Sequence, residues 1–413
     1  MRQGNATDAP LVDGLAVAPA AERPVSAVRL ASVDAYRGLV MMLMASEGLG
    51  LGAVAAAHPD SGFWRFLAGQ VEHVQWVGCS LWDLIQPSFS LLVGVSLPFS
   101  LASRRARGQG FGQMLRHALA RSLALIVLGI LLRSDGRRQT YFTFEDTLTQ
   151  IGLGYAFLFL LAWTRPRVQA LACAGLLFAY WLAFLLYPLP RPGFDYASVG
   201  VPPDWPHLTG MAAHWDKNTN AAAAFDVWFL NLFPREEPFA FNAGGYLTLS
   251  FIPTLGTMIL GLLAGELLKS GRPESQKLRL LVGAGAAGIA CGWLLGALGL
   301  CPVVKRIWTP SWTLFSGGWC FLILAAFRWT MDVRGRTRWA FPLVVAGMNS
   351  IAFYVIAHPF RPLIDRTLKT HLGQNVWERL GGPCSPILDH AAVLLCMWLI
   401  VWWMHRRRLF LRL

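Results

Sequence analysis

The sequence predicts an all-α polytopic membrane protein of about ten transmembrane helices, with a large outer loop between the fifth and the sixth. Three observations predict it. Apolar residues make up 55% of the 413 and charged residues only 14%, with a mean hydropathy of +0.45, which leaves too little polar surface for a soluble globule. The apolar residues come in continuous runs rather than in two-residue alternation. That excludes a β-barrel, and in a bilayer each such run must satisfy its own backbone hydrogen bonds as a helix. The basic residues that give the net charge of +13 sit in short segments between these runs, so the charge reads as topology and no nucleic-acid partner is expected.

In chain order, residues 1–28 are small and polar, are punctuated by Pro10, Pro19 and Pro24, and hold no apolar core of signal-peptide length. They are expected to form a disordered cytoplasmic tail, and 29–413 a single transmembrane domain. The first span opens at RLASVDAYRGLVMML, with Ser32 as its cap and Asp34 and Arg37 at its start, and continues to about Ala57. Glu47 is expected deep inside it, either as a protonated structural group bonded to a neighbouring helix or as a functional carboxylate. The second span runs from about Leu81 to Ala102 and is expected to bend at Pro87 and Pro98. The third covers about Ala118 to Leu132, the fourth about Thr147 to Trp163, and a fifth ends near Tyr187.

Residues 188–245 break the pattern. They are too polar to span and too aromatic for an unstructured linker, so they are expected to fold as a cap, with a short helix in AAAAFDVWFLNLF. His207, His214 and Asp216 match no zinc spacing, and no metal is expected. Sugar-facing residues around Trp215, Asp226 and Trp228 suit the cap better. The later spans are Tyr246–Leu268, Leu280–Leu300, Trp312–Thr330, Phe341–His358 and Leu388–Met404, and glycines in GLLAGELL and VGAGAAGIACG are expected to let helices pack closely. With the amino terminus inside, the inner segments hold 23 of the 36 Lys and Arg residues. Both termini are then cytoplasmic, and His73, the cap, Lys305 and His358 share the outer side. The compact basic loops favour a bacterial inner membrane. Of seven cysteines none forms a CxxC pair; Cys301 and Cys384 fall near one face, where a disulfide is allowed, and buried thiols account for most of the rest.

The stretch HVQWVGCSLWDLIQPSFSLLVGVSLPFS carries the chemistry. A polar approach with His73 and Trp76 leads into the second span, whose mouth holds Asp83. Ionisable groups at such an entrance are costly without a role or a partner.

Four stretches, in this order, resemble the heparan-alpha-glucosaminide N-acetyltransferase family of transmembrane acyltransferases: RLASVDAYRGLVMMLM, HVQWVGCSLWDLIQPSFSLLVGVSLPFS, LGLCPVVKRIWTPSW and GMNSIAFYVIAHPF. The resemblance covers roughly Arg29 to the carboxyl end. It implies transfer of an acetyl group from cytoplasmic acetyl-CoA, or another acyl-CoA, to an extracytoplasmic sugar or glycan, with His73 as catalytic base or transient acyl carrier. Asp83 and Pro87 match the acidic and proline positions of the family stretch, Asn349 and Ser350 its GMNS segment, and Lys305 and Trp308 its basic-then-tryptophan pattern. Asp83 would orient the imidazole. Arg37, Arg104, Arg105 and Arg116 are candidates for the CoA phosphates, and Asn349 for the thioester or for bridging two helices. Trp76, Glu47, Asp226, Lys305, Trp308 and His358 are candidates for the acceptor. Glu47–Gly48 and Thr149–Gln150 stand where the family has an asparagine and a glutamine–arginine pair, which leaves room for a different acceptor, a different acyl donor or a member that has lost acyl transfer, and the acidic, aromatic loop around Trp215, Asp226 and Trp228 points to an acceptor other than heparan. The other expected partner is membrane lipid, and a homodimer is allowed. The alternative function is a secondary transporter with Glu47 as its coupling carboxylate.

Overall fold

The computed structural model describes residues 30–411, and the expected 1–28 tail lies outside them. Helix α1 (Ala31–Ala45) stops at Ser46, whose hydroxyl turns back to donate to Leu43 O at 2.7 Å. Four residues then take left-handed backbone angles in succession: Glu47, Gly48, Leu49 and Gly50, with φ of 45°, 65°, 51° and 63°. Only glycine does this without cost, so Glu47 and Leu49 are strained. The chain bends by 46° between α1 and the segment Glu47–Ala57, which contains α2 (Leu51–Ala57). Glu47 is therefore not deep within a continuous span. It lies at the break, more than half exposed, paired with Arg361 at 2.9 Å.

Ser61 caps α3 (Gly62–Gln70). A tight turn at Trp82–Leu84 feeds α4 (Ile85–Ala106), which accepts Pro98 in its interior and runs through as one element. After α5 (Phe111–Arg133), Asp146 caps α6 (Thr147–Leu161) by accepting from Leu148 N and Thr149 N. Pro166 opens α7 (Pro166–Leu186), and Asn220 caps α8 (Ala221–Phe229) within the large loop. Then come α9 (Phe251–Lys269), α10 (Glu274–Ala297) and α11 (Pro310–Phe327), the last capped by Thr309 with Pro310 at its first position. The chain ends with α12 (Phe341–Met348), α13 (Ser350–Val355), α14 (Arg361–Leu372), α15 (Val376–Gly381) and α16 (Ser385–Arg406).

Among the described residues, seven helical stretches are long and apolar enough to cross a membrane, or up to nine if each of two bent pairs is one span. The chain is a multi-pass helical membrane protein. The expected fourth span, α6, is a shorter apolar helix, and the expected ninth is broken by a 72° bend at Asn349. Asn349 leaves the helical range there because its side chain is engaged elsewhere, donating to Leu409 O at 3.1 Å and accepting from Leu411 N at 3.3 Å.

Between 61% and 67% of the spans containing α4, α9 and α11 is buried within the protein, against 17–28% for those of α5, α7, α10 and α16. The first three form the centre and the others face outward. Small residues allow the close contacts, as the sequence predicts. A Cβ on Gly261 of α9 would sit 2.0 Å from Leu91 O of α4, and one on Gly38 of α1 only 1.7 Å from Leu343 O of α12. Residues 188–245 form a packed layer over the helix ends. Trp215 is fully buried and stacks on Phe184 of α7, and its carbonyl accepts from Trp76 Nε1 at 3.1 Å. All seven cysteines are free, so Cys301 and Cys384 are not bonded; Cys301 is buried against Ser311 instead.

Candidate functional site

Two sites lie at opposite ends of α4. At its amino-terminal end the chain from His73 to Ser80 runs beside the loop from Cys301 to Thr309. Val77 pairs antiparallel with Val304, and Gly78 N donates to Val303 O at 2.9 Å. The second loop is tied down by hydrogen bonds: Thr309 Oγ1 accepts from Val304 N and donates to Pro302 O, and Tyr180 and Trp181 of α7 donate to Ile307 O and Leu300 O. This clamp brings Lys305 to His73.

Asp83 lies in the turn that enters α4. Its Oδ2 accepts from Ser80 N at 3.1 Å and Val74 N at 3.3 Å, with the Ser80 hydroxyl 3.0 Å away. Its Oδ1 accepts from His73 Nδ1 at 2.7 Å and pairs with Lys305 Nζ at 3.3 Å. Lys305 Nζ also lies 3.0 Å from Nδ1 and 3.5 Å from Nε2 of the imidazole. The Asp83 and Lys305 side chains are 1% and 5% exposed while that of His73 is 37% exposed, so the ring alone meets solvent. With Nδ1–H committed to the carboxylate, Nε2 is left with its lone pair, the tautomer that accepts a proton or attacks a carbonyl. Burial pulls the Lys305 ammonium down to about 8, against the opposing pull of Asp83.

At the other end of α4 a cavity of about 690 Å³ opens among α1, α4, α5, α6 and the Gly347–Tyr354 segment. Its mouth is basic, with Arg37, Arg104, Arg107, His117 and Arg121. Arg104 Nη2 donates to His117 Nε2 at 2.5 Å, and Arg121 Nη1 to Tyr155 OH at 3.3 Å. Arg121 Nε is buried with no hydrogen-bond partner, the kind of orphan donor that an anionic ligand satisfies. Ser103, Ser100 and Ser96 lead inward along α4 to Phe89. From Ser103 to Phe89 is roughly 21 Å of helix, and from Phe89 to Asp83 roughly 9 Å more.

The structure thus joins His73, Asp83 and Lys305 at one site, and Arg37, Arg104 and Ser350 at the other. The remaining predicted residues stand elsewhere. Arg105 lies over the Trp163 ring at 4.1 Å and Arg116 is exposed; neither lines the cavity. Asn349 holds the segment after α16, so it bridges elements and does not line the cavity. Trp76 and Trp308 are buried and cannot present their faces to an acceptor: Trp76 anchors the large loop, and Trp308 Nε1 donates to Thr257 Oγ1 at 3.1 Å. Asp226 is buried too, accepting from Thr248 N at 2.9 Å. Glu47 is tied to Arg361, and His358 is exposed, stacked on Tyr354 of its own helix. In the large loop His207 pairs with Asp216 at 2.6 Å, and His214 Nδ1 meets Tyr187 O at 2.9 Å.

Sequence reasoning missed Arg107, His117 and Arg121. Helical spacing signals them: Ser96, Ser100, Ser103 and Arg107 step by three or four along α4 and its carboxyl-terminal cap, and His117, Arg121 and Leu125 by four along α5. Each set makes one face, and Arg105 and Arg116 are one or more positions off it. Also missed was Glu145, partly buried and bonded by Asn242 Nδ2. Its carboxyl is pushed up to about 7, first by burial and then by the charges of Asp146 and Asp226, with Arg133 and Arg235 opposing.

No protein-family model matches the chain. The heparan-alpha-glucosaminide N-acetyltransferase of Mus musculus is 25% identical, over 86% of this chain and 58% of that protein. The Homo sapiens protein of the same name is 23% identical, over 84% of the chain and 57% of that protein. The chain thus spans less than two thirds of the length of these curated relatives. It is a distant relative of the heparan-alpha-glucosaminide N-acetyltransferases, the family its four sequence motifs resemble.

Proposed function

We propose that the chain is a transmembrane acyltransferase, moving an acetyl or other short acyl group from acyl-CoA at the basic cavity to a sugar or glycan acceptor at His73. The observation that carries this reading is the common helix: α4 holds a basic, anion-ready cavity at one end and the His73–Asp83–Lys305 cluster at the other, with about two turns between the cavity floor and Asp83. The basic face is taken as the cytoplasmic one, a reading that the Lys and Arg density supports. Arg37, Arg104 and Arg121 hold the CoA phosphates by charge-assisted hydrogen bonds, and the serine-lined path admits the thioester arm. The names of the two relatives support acetyl transfer to an amino sugar.

At the far end, His73 Nε2 serves the chemistry in one of two balanced ways. As a base it takes the proton from the acceptor amine or hydroxyl as that group attacks the thioester carbon; the C–S bond breaks, and the proton passes on to the CoA thiolate. As a carrier it attacks the carbon itself, releasing the thiolate, and then yields the acyl group to the acceptor, the C–Nε2 bond breaking as the acceptor's proton passes to Nε2. Asp83 holds the ring in the required tautomer and balances its cation in either route.

The test is thermal melting of the detergent-purified protein, wild type and His73→Ala, titrated with acetyl-CoA, free CoA and an unrelated nucleotide. Acetyl-CoA should raise the melting temperature of both, and only wild type should slowly release free thiol. Failure of both proteins to respond to any CoA species would remove the donor and with it the proposal.

A further inference from the structure

We propose that Lys305 is the oxyanion donor of this site, binding the negative oxygen that forms when the thioester carbonyl is attacked. The inference rests on the acyl-transfer reading and adds a role within it. The geometry points to it in three ways. Nζ lies within 3.5 Å of both imidazole nitrogens, 3.0 Å from Nδ1 and 3.5 Å from Nε2, so it is near any carbon that Nε2 attacks or any acceptor that Nε2 deprotonates. An ammonium carries three N–H groups, of which one is directed to Asp83 Oδ1 at 3.3 Å, leaving donors for a second oxygen. The loop is also clamped on three sides, by Thr309, by the Val77–Val304 pairing and by α7, and a fixed donor stabilises developing charge without reorganising. Arg306, the neighbouring cation, is directed elsewhere: Nη1 donates to Gly244 O at 2.6 Å and Nη2 reaches Val74 O at 3.4 Å.

In the step itself the nucleophile adds to the carbonyl carbon and the π pair moves to oxygen. Lys305 N–H groups hold that oxygen without giving up a proton. The C=O bond then re-forms and the C–S bond breaks, the electron pair leaving on sulfur. Groups facing Nζ are Asp83, His73 and Cys79 on the first chain segment, Arg306 on its own loop, and Tyr246, whose ring centroid is 6.0 Å away. The ammonium, held near 8 by burial, is charged at neutral pH and loses its proton just above it.

The competing role is a mere counter-ion for Asp83, and a double-mutant cycle separates the two. Acyl transfer and thiol release are measured for wild type, Lys305→Met, Asp83→Asn and the double variant, with kcat and the KM for acetyl-CoA followed from pH 6 to 10. An oxyanion donor predicts a kcat loss of about 100- to 1,000-fold in Lys305→Met with the donor KM within threefold, and a further loss of about 100-fold in the double variant beyond Asp83→Asn alone. A counter-ion predicts no loss beyond Asp83→Asn, and that result overturns the proposal. Because the double variant buries no lone carboxylate, it keeps the question answerable where Lys305→Met does not fold. Wild-type kcat should fall above about pH 8 and that of Lys305→Arg should not. An active wild type with an equally active Lys305→Met sinks the Lys305 role alone, whereas a wild type that neither binds acetyl-CoA nor releases thiol sinks the acyl-transfer reading beneath it.

Discussion

Asp83 and His73 are joined through a single carboxylate oxygen, Oδ1, which accepts from His73 Nδ1 at 2.7 Å and faces Lys305 Nζ at 3.3 Å. The other oxygen is spent on Ser80 and Val74. The carboxylate therefore fixes ring tautomer, ring orientation and the position of the ammonium together. Asp83→Asn keeps the size but supplies an uncharged amide. The expected result is a loss of transfer rate of about 100- to 10,000-fold, with acetyl-CoA binding within threefold because the cavity lies at the other end of α4. Breaking the buried pair with Lys305 should also cost about 3–5 kcal/mol of stability. Rates and melting curves on the same preparation check both, and a variant retaining more than a tenth of the wild-type rate would refute the orienting role.

The arginines divide by the face of the helix they occupy. Arg104 and Arg121 line the cavity, while Arg105 stacks on Trp163 and Arg116 is exposed. Alanine at either of the first two should weaken CoA binding by about 10- to 100-fold, the worth of one or two charge-assisted hydrogen bonds. Alanine at Arg105 or Arg116 should change it less than threefold. Calorimetric titration with CoA and with a CoA analogue lacking the ribose phosphate would read this division directly; equal losses at all four would mean that only the summed field attracts the ligand.

These two predictions show where the sequence was legible. Apolar runs fix helices because a bilayer leaves the backbone no other partner, and His73 and Asp83 stood out because ionisable groups at a span entrance are rare. Lys305 lies 232 positions from His73, and the clamp that unites them is one isolated bridge and a few side-chain bonds with no periodic signature. The breaks at Glu47 and Asn349 were illegible for a related reason. Hydropathy counts apolar residues and is blind to the backbone angles of Glu47 or to the distant carbonyl that Asn349 binds. Trp76, Trp308 and Asp226 lie buried with hydrogen-bond partners of their own, which residue type alone does not reveal.

Helix α1 crosses α12 with backbone against backbone. A Cβ on Gly38 would lie 1.7 Å from Leu343 O, and one on Gly347 would lie 1.8 Å from Asp34 O. Neither obstacle is a side chain that can rotate away, so the helices must separate. Gly38→Ala and Gly347→Ala should each destabilise by about 1–3 kcal/mol or more, and because Asp34, Arg37 and Gly347 all line the cavity, CoA affinity should fall with them. Alanine at Gly112, which has open space around it, is the control. A melting temperature unchanged in both crossing variants would show that α1 and α12 are not in this contact.

Glu145 gives the protein a pH dependence of unusual sign. Most folded carboxylates bind protons less tightly than in the unfolded chain, and stability is then lost as pH falls. Glu145 is the reverse: burial and the nearby Asp146 and Asp226 raise it from 4.5 to about 7. Between those values the folded state holds more of the proton than the unfolded state does, so the unfolding free energy decreases as pH rises. Below about 4.5 both states are protonated and the effect is absent; above about 7 both are ionised and the penalty is complete. Glu145→Gln mimics the protonated form and keeps an oxygen to accept from Asn242 Nδ2. The melting temperature of the variant minus that of wild type should therefore climb between pH 4.5 and 7 and level off above it. Taking the difference cancels the titration of every group the substitution does not touch. Parallel melting curves across that window would show that Glu145 ionises as freely in the folded protein as in the unfolded chain.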